Sequence, residues 1–586
     1  MTADLPYRNP ILPIETRVED LLARMRIEDK VGLLFHYQGS LGDPEQPDQY
    51  GRSAVAELVR DRRITHLLVQ GSPKSGRELA QWHNAVQRIA LEHPLGIPVT
   101  ISSDPRHGVT RNPLTSNESG AFSRWPEPIG IAAIGTEATA REYGDVTRRE
   151  YLAAGIRVAL HPQIDLATEP RWARIAQTFG EDADLTSRLV RAYLGGLQGQ
   201  SVGPDSVAAM TKHFPGGGPQ LDGLDPHFAD GREQVYPGGR FDYHLEPFLA
   251  AIEAGTSQMM PYYGMPVGTQ YEEVGFAFSK GVITELLRDE LGFDGIVCTD
   301  FGVITGYGEA FPAKAWGVEQ LSRDERMVKL LDAGVDQFGG ENCTDVLLDL
   351  LRSGTVDEDR LDVSVRRLLA EKFRLGLFDD RRFVDTEEAE QVVGSALNKQ
   401  AGVRAQHAAL TLLRNGNEDP VLPLRRGISV YVEGMDPQAL AGFATVVARP
   451  QDAEVAIIRT HAPSYHDPAR GFLGAMHKGS LEFSPAEIEH LEELAATVPT
   501  VVDVYLERPA VLTDLTAAAA LVVSFGTDDR PFAEVLFGTA APRGRLPFDL
   551  PRSMSAVEAS RSDVPFDTAD PLFRFGFGLR YRDSDV

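Results

Sequence analysis

Between residues 60 and 380 the chain repeats one pattern, a short apolar run followed by a longer stretch of helical period. The runs are ITHLLVQ (64–70), IPVTISSD (97–104), IRVALHPQID (156–165), VAAMTKHF (207–214), TSQMMPYY (256–263), GIVCTDF (295–301) and GVDQF (334–338). Amphipathic segments such as 77–93, 136–155, 244–255 and 282–292 lie between them. Strand and helix alternating at this spacing is the signature of parallel βα units. About seven in succession, within the ~250 residues such a fold uses, argue for a closed or nearly closed barrel over an open doubly wound sheet. LDVSVRRLLAEKFRLGLF (361–378) reads as the long helix that ends this half. The expected fold is α/β: a (β/α)8-like TIM barrel over 1–385, a polar helix-rich linker over 386–425, and a smaller α/β sandwich domain with a C-terminal tail over 426–586. Runs such as 428–434, 455–460, 500–507 and 520–526 supply the strands of the second domain.

Charge narrows the partners. Lys+Arg 58 against Asp+Glu 85 leave a net charge of −27. Duplex nucleic acid and anionic membrane surfaces are bound through basic patches, so neither is an expected partner, and a small neutral molecule is. Homo-oligomerisation stays open. Two cysteines, Cys298 and Cys343, make neither a disulfide framework nor a four-cysteine zinc site, which suits a reducing compartment. The chain shows no signal-peptide core and no window of ~20 apolar residues, so a cytoplasmic location is expected. Phosphate loops, dinucleotide fingerprints, HExxH and GxSxG are absent from the sequence, and no cofactor is expected.

In parallel barrels the reacting groups stand at the C-terminal ends of strands, where the loops converge. IPVTISSD ends at Asp104 and leads to Arg106 and His107; VAAMTKHF carries Lys212 and His213; TSQMMPYY carries Tyr262 and Tyr263; GIVCTD ends at Asp300. A single strand-end carboxylate is more often a helix cap than a catalyst, but four polar ends converging on one mouth point to a site. Asp300 is the sharpest candidate, with Phe301 beside it and Tyr262 placed to hydrogen-bond it and keep it ionised, as a nucleophile requires. Asp104 with Arg171 or Arg174 would orient the hydroxyls of a polyol, and Lys212 and His213 would donate to others. A zinc site from His107, His161, His213 and Asp300 is the competing chemistry. The carboxylate reading is preferred, with no metal expected.

The segments Asp104-x-x-His107-Gly108, EPRWAR (169–174), TFGED (178–182), KHFPGGG (212–218), CTDFG (298–302), LDAGVDQF (331–338) and KFRLGLFD (372–379) resemble, in order and spacing, those of glycoside hydrolase family 3. RGRLPFDLPRS (543–553) and FRFGFGLRY (573–581) resemble that family's C-terminal signature. The resemblance covers nearly the whole chain and is closest to the two-domain exo-glucan hydrolases and β-glucosidases. It implies that Asp300 is the nucleophile of a retaining β-glycosidase. Asp104, Arg171 or Arg174, Lys212, His213 and Tyr262 would line the subsite for the non-reducing terminal sugar; Phe301 and Trp125, each beside a loop motif, are the candidate aromatics around the entrance.

A retaining mechanism also needs an acid/base roughly 5 Å from the nucleophile. In family β-glucosidases this is a glutamate on a second-domain loop. The matching loop here, 461–483, offers Asp467 first and Glu482 as its alternative. The β-N-acetylglucosaminidase branch instead uses an Asp-x-His dyad after KHFPG, matched by Asp225-Pro226-His227, so His227 is a third candidate. That branch's His and Asp-Thr are replaced by Gly217 and Pro219-Gln220, which favours a β-glucosidase. The expected substrate is an oligosaccharide or other β-glycoside with a terminal β-D-glucosyl residue. β-N-acetylglucosaminidase, β-xylosidase/arabinosidase and a non-catalytic sugar-binding protein are the alternatives.

Overall fold

The computed structural model describes residues 5–111, 115–308, 311–416, 419–465, 474, 476 and 478–581. Eight parallel strands form the first sheet, in the spatial order Phe338–Gly339, Phe35–Ser40, His66–Gln70, Thr100–Ser103, Ile156–Ala159, Ala208–Phe214, Gln258–Pro261 and Ile296–Val297. The sheet curls until its two edges meet: Cys298 and Gln337 form a parallel bridge, and Thr299 N–H donates to the Gln337 carbonyl at 2.9 Å. Seven of these strands lie in or at the apolar runs. The eighth, FHYQGS (35–40), has polar His36, Gln38 and Ser40 among its side chains and carries no apolar run to mark it.

The barrel is filled rather than hollow. Leu68, Val158, Leu160, Ala208, Met210, Met260 and Cys298 pack with Leu375 and Leu377 as one buried cluster inside it. Side chains two apart on a strand share a face. On Ala208–Phe214, Ala208 and Met210 enter this plug and Lys212 rises above it; after Ile296–Val297, Cys298 enters the plug and Asp300 rises above it. Helices on the outside close each βα unit. Glu137–Ala154, for example, starts where the Thr136 hydroxyl accepts Thr139 N–H and stops at Gly155, whose φ of +87° only glycine adopts cheaply.

The second sheet has the order Thr411–Asn415, Ala520–Ser524, Thr500–Tyr505, Val455–His461, Ser429–Glu433 and Thr445–Val446, parallel except for its first strand. Thr411–Asn415 comes from the stretch read as linker, which otherwise holds the helices Thr386–Val392 and Ala396–Ala409. Both faces are buried, which is why its strands read as continuous apolar runs. Leu521 and Val523 enter the large core shared with the barrel, while Ala520 and Val522 enter a smaller one. The two domains meet along a seam built partly by TFGED. At Gly180 (φ +97°) an added Cβ would stand 2.3 Å from the Pro547 carbonyl, and Glu181 accepts the backbone N–H of Asp549 and of Phe566. Among the described residues no helix is long and apolar enough to cross a membrane.

Candidate active site

Asp104, Arg174, Lys212, His213, His227 and Asp300 face one cavity of about 1000 Å³ above the barrel plug. Leu68, Leu160 and Met260 belong both to the plug and to the cavity floor, so the cavity is closed from below and opens at the C-terminal ends of the strands. Phe301 and Tyr263 complete the wall beside Asp300. Among the described residues, every one that lines it belongs to the barrel half of the chain.

Asp300 accepts Phe301 N–H at 2.7 Å on Oδ1, and its Oδ2 lies 3.8 Å from His213 Nε2. Arg174 Nη2 donates to that same Nε2 at 3.0 Å, so the proton of the His213 ring is on Nδ1 and is donated to Asp165 Oδ2 at 2.8 Å. Burial, then the Arg174 charge, pushes the His213 imidazole well below its ordinary value, keeping it neutral. Asp165 itself is fully buried and also accepts the backbone N–H of His213 and of Gly217. Lys212 Nζ donates to Asp104 Oδ1 at 3.4 Å. Burial pushes the Asp104 carboxyl up and the Lys212 ammonium down, each partly offset by the other.

On another wall, Asp225 is fully buried and accepts four donors: His227 N–H at 3.0 Å and His227 Nδ1–H at 2.5 Å on Oδ1, Trp172 Nε1–H at 3.0 Å and the Tyr262 hydroxyl at 3.2 Å on Oδ2. Burial opposes its ionisation, but His227 and Arg174 outweigh burial and hold Asp225 well below the ordinary carboxylate range. With Nδ1 engaged, His227 presents Nε2, which has no partner among the described residues, on the cavity wall. Trp316 Nε1–H donates to the Pro226 carbonyl at 2.8 Å and fixes the turn between the two members of the dyad.

Several expected placements need correction. Tyr262 does not bond Asp300: its ring lies against His213 at 4.8 Å, and its hydroxyl goes to Asp225. The neighbouring Tyr263 stands there instead, donating to the Phe301 carbonyl at 2.6 Å, and burial followed by the Asp300 charge pushes its phenol well above the ordinary range. Of the two arginines, Arg174 enters the cavity, whereas Arg171 turns back to Glu169 at 2.8 Å and Asp222 at 3.5 Å. Glu482 is exposed and faces the N-terminus of the helix Met554–Ala559, accepting Met554 N–H at 3.4 Å, away from the cavity. Asp467 lies outside the described residues. Trp125 is wholly buried, donating to Ser123 Oγ. The imidazoles of the zinc alternative part company, His107 to Glu150 and His161 to Tyr193, and no group of three metal-ligating side chains gathers among the described residues.

Asp165 and Lys314 went unnamed among the candidates. Asp165 ends an apolar run just as Asp104 and Asp300 do, so the signal was present. Lys314, which lies over the Tyr263 and Tyr307 rings at 5.4 and 5.3 Å, sits in a loop with nothing in the sequence to single it out.

Residues 27–370 match the model of the Glycosyl hydrolase family 3 N terminal domain, and residues 432–581 that of the Glycosyl hydrolase family 3 C-terminal domain. A protein named probable beta-glucosidase C from Aspergillus flavus is 48% identical over 584 residues, covering 98% of this chain and 92% of its own. A periplasmic beta-glucosidase/beta-xylosidase from Dickeya chrysanthemi is 39% identical, covering 98% of this chain and 91% of its own. Among solved structures, beta-glucosidase from Listeria innocua in complex with isofagomine superposes with a TM-score of 0.77 at 21% identity, covering 96% of this chain and 83% of that one, a likeness of fold.

Proposed function

The chain belongs to glycoside hydrolase family 3, and we propose that it is an exo-acting, retaining β-glucosidase whose covalent intermediate is a glycosyl ester of Asp300. The observation that carries this is the placement of Asp300 in a cavity closed from below, with Asp104, Lys212 and Arg174 facing the same space. A chain can enter only by its end, and these carboxylate, ammonium and guanidinium groups suit the hydroxyls of one terminal sugar. The names of the full-length relatives support a β-glucosyl substrate over N-acetylglucosaminyl. The double name of the Dickeya relative favours β-xylosides as a second substrate class.

In the first step Asp300 attacks the anomeric carbon while the bond to the leaving oxygen breaks, and the leaving oxygen takes the Nε2 proton of the His227 imidazolium. Asp225, fully buried, accepts Nδ1–H and so holds the ring with Nε2 toward the cavity. In the second step neutral Nε2 removes a proton from water as the water oxygen displaces Asp300, and the anomer of the substrate is restored. His227 is preferred to Glu482 because it lines the cavity and Glu482 does not. A panel of p-nitrophenyl glycosides with nuclear magnetic resonance of the first-formed sugar tests the reading. Fast turnover of the β-glucoside with β-glucose released first is expected; inverted product, or turnover of the N-acetylglucosaminide alone, defeats it.

A further inference from the structure

The cavity continues past the reacting groups. A second chamber of about 490 Å³ adjoins it, and the two share Tyr50, Arg52, Gln70, Arg111 and Asn117. All four tryptophans, Trp82, Trp125, Trp172 and Trp316, are buried, so no indole flanks the opening. Tyr50 does: it is 75% exposed, more than any other aromatic side chain among the described residues, and it belongs to both chambers.

An exposed aromatic in a loop without regular structure is commonly a mobile one. This one is pinned. Asp48 Oδ1 accepts the backbone N–H of Tyr50 and of Arg52, both at 2.9 Å, and Oδ2 accepts Ser40 Oγ at 2.8 Å and Arg52 Nε at 2.5 Å. Ser40 ends the first barrel strand, so the barrel itself sets the loop. The Arg52 guanidinium lies 5.5 Å from the centre of the Tyr50 ring. Where the chambers join, Asn117 Nδ2 is buried with no partner among the described residues, which leaves a donor whose desolvation nothing yet offsets. Ser40, Asp43, Gln46 and Gln49 line the outer chamber, a polar wall suited to hydroxyls and poorly suited to a greasy aglycone.

We propose that this outer chamber binds the sugar units beyond the scissile bond, with Tyr50 as their stacking platform and Asn117 as a hydroxyl donor, making the enzyme selective for trisaccharides and longer chains over simple glycosides. The proposal rests on the β-glucosidase reading. The test compares kcat/KM for a β-linked glucotriose with that for methyl β-glucoside in wild type, Tyr50→Ala, Tyr50→Phe and Asn117→Ala. Tyr50→Ala is expected to lower the glucotriose to methyl-glucoside ratio about tenfold, Asn117→Ala about threefold, and Tyr50→Phe less than about twofold, the scale of one aromatic contact or one hydrogen bond. Calorimetric binding of glucotriose to the Asp300→Asn protein is expected to weaken about tenfold when Tyr50→Ala is added. An unchanged ratio with unchanged binding, or a loss shared equally by methyl glucoside, overturns the chamber. Tyr50-dependent binding of glucotriose by a wild type that cleaves no β-glucoside would support the chamber while defeating the reaction, so the two failures are distinct.

Discussion

The two ends of the barrel both bury charged groups, and Lys372 at one end and Lys212 with Arg174 at the other are satisfied very differently. On the floor, Lys372 is wholly buried and its Nζ donates to the Thr65 carbonyl, the Pro98 carbonyl and Thr100 Oγ1 at 2.9, 3.0 and 2.7 Å, three donors for three acceptors. Next to it Glu371 accepts Ser257 Oγ and Gln258 Nε2, and Asp336 is filled by Arg288, Ser364 and Arg367. At the mouth, Arg174 Nε and Nη1 have no partner among the described residues, and Lys212 reaches Asp104 only at 3.4 Å. A saturated buried network fixes structure, whereas an unsaturated one is costly unless a ligand completes it. Unpaired buried atoms occur at both ends, Arg157 Nε among them at the floor, so it is the open cavity that Arg174 and Lys212 line that marks the mouth as the end built for a substrate.

The largest expected effect breaks chemistry without touching the fold. Asp300→Asn should lower kcat/KM on p-nitrophenyl β-glucoside by about 10⁴-fold or more, the scale for loss of a covalent nucleophile, with circular dichroism and thermal midpoint near wild type. A variant with near-wild-type turnover would move the site away from Asp300. Next comes the acid/base: His227→Gly should cost roughly 10²- to 10⁴-fold on an alkyl glucoside and much less on the p-nitrophenyl glucoside, whose leaving group needs little protonation, with azide restoring rate on the latter. Asp467→Gly and Glu482→Gly serve as the counter-tests, and azide rescue of either in place of His227 transfers the role to the second domain.

The floor should respond in the opposite sense. Lys372→Met strands the Thr65 and Pro98 carbonyls and is expected to cost about 3 kcal/mol of stability, read as a lowered denaturation midpoint, while kcat/KM of the folded protein at low temperature stays within about twofold of wild type, as distant and independent sites do. Loss of activity without loss of stability would mean that the two ends are not separable in this way.

The side chains rising above the plug were legible in the sequence because period two on a buried strand carries Cys298 to Asp300 and Met210 to Lys212, and the family motifs mark the same positions. Legibility fails where the ladder ends. Tyr262 and Tyr263 lie past Gln258–Pro261, as Arg171 and Arg174 lie in a loop, and there no periodicity says which neighbour turns inward. The first strand hid behind its polar side chains, and the second sheet began earlier than the apolar runs because Thr411–Asn415 lies in a segment that is polar overall. Tyr50 was invisible for a different reason: its position depends on Asp48, two residues away, bonding backbone and Ser40 at once, a tertiary fact with no pattern in one dimension.

Glu181, on the seam between the domains, sharpens the contrast between filled and unfilled groups. Both its oxygens are occupied, by the N–H groups of Asp549 and Phe566 at 2.7 and 2.8 Å, as on the floor, so it should govern stability and leave chemistry alone. Burial, only partly offset by those N–H groups and reinforced by the Asp549 and Asp182 charges, pushes its carboxyl up to about 8 from 4.5. The folded protein therefore keeps a proton that the unfolded chain has released, and the seam's contribution is full below about pH 4.5 and lost as pH rises toward 8, with a slope of at most about 1.4 kcal/mol per pH unit. Glutamine carries no titrating proton. Glu181→Gln turns its NH2 toward one of the two N–H groups and so should lie below wild type near pH 4.5, then close on it steadily up to about pH 8, measured as the difference in Tm at three pH values, while the kcat/KM profile on p-nitrophenyl β-glucoside keeps its shape. Parallel Tm curves would show that Glu181 does not hold its proton in the folded state, and a changed activity profile would show that a filled carboxylate on the seam nonetheless reaches the mouth.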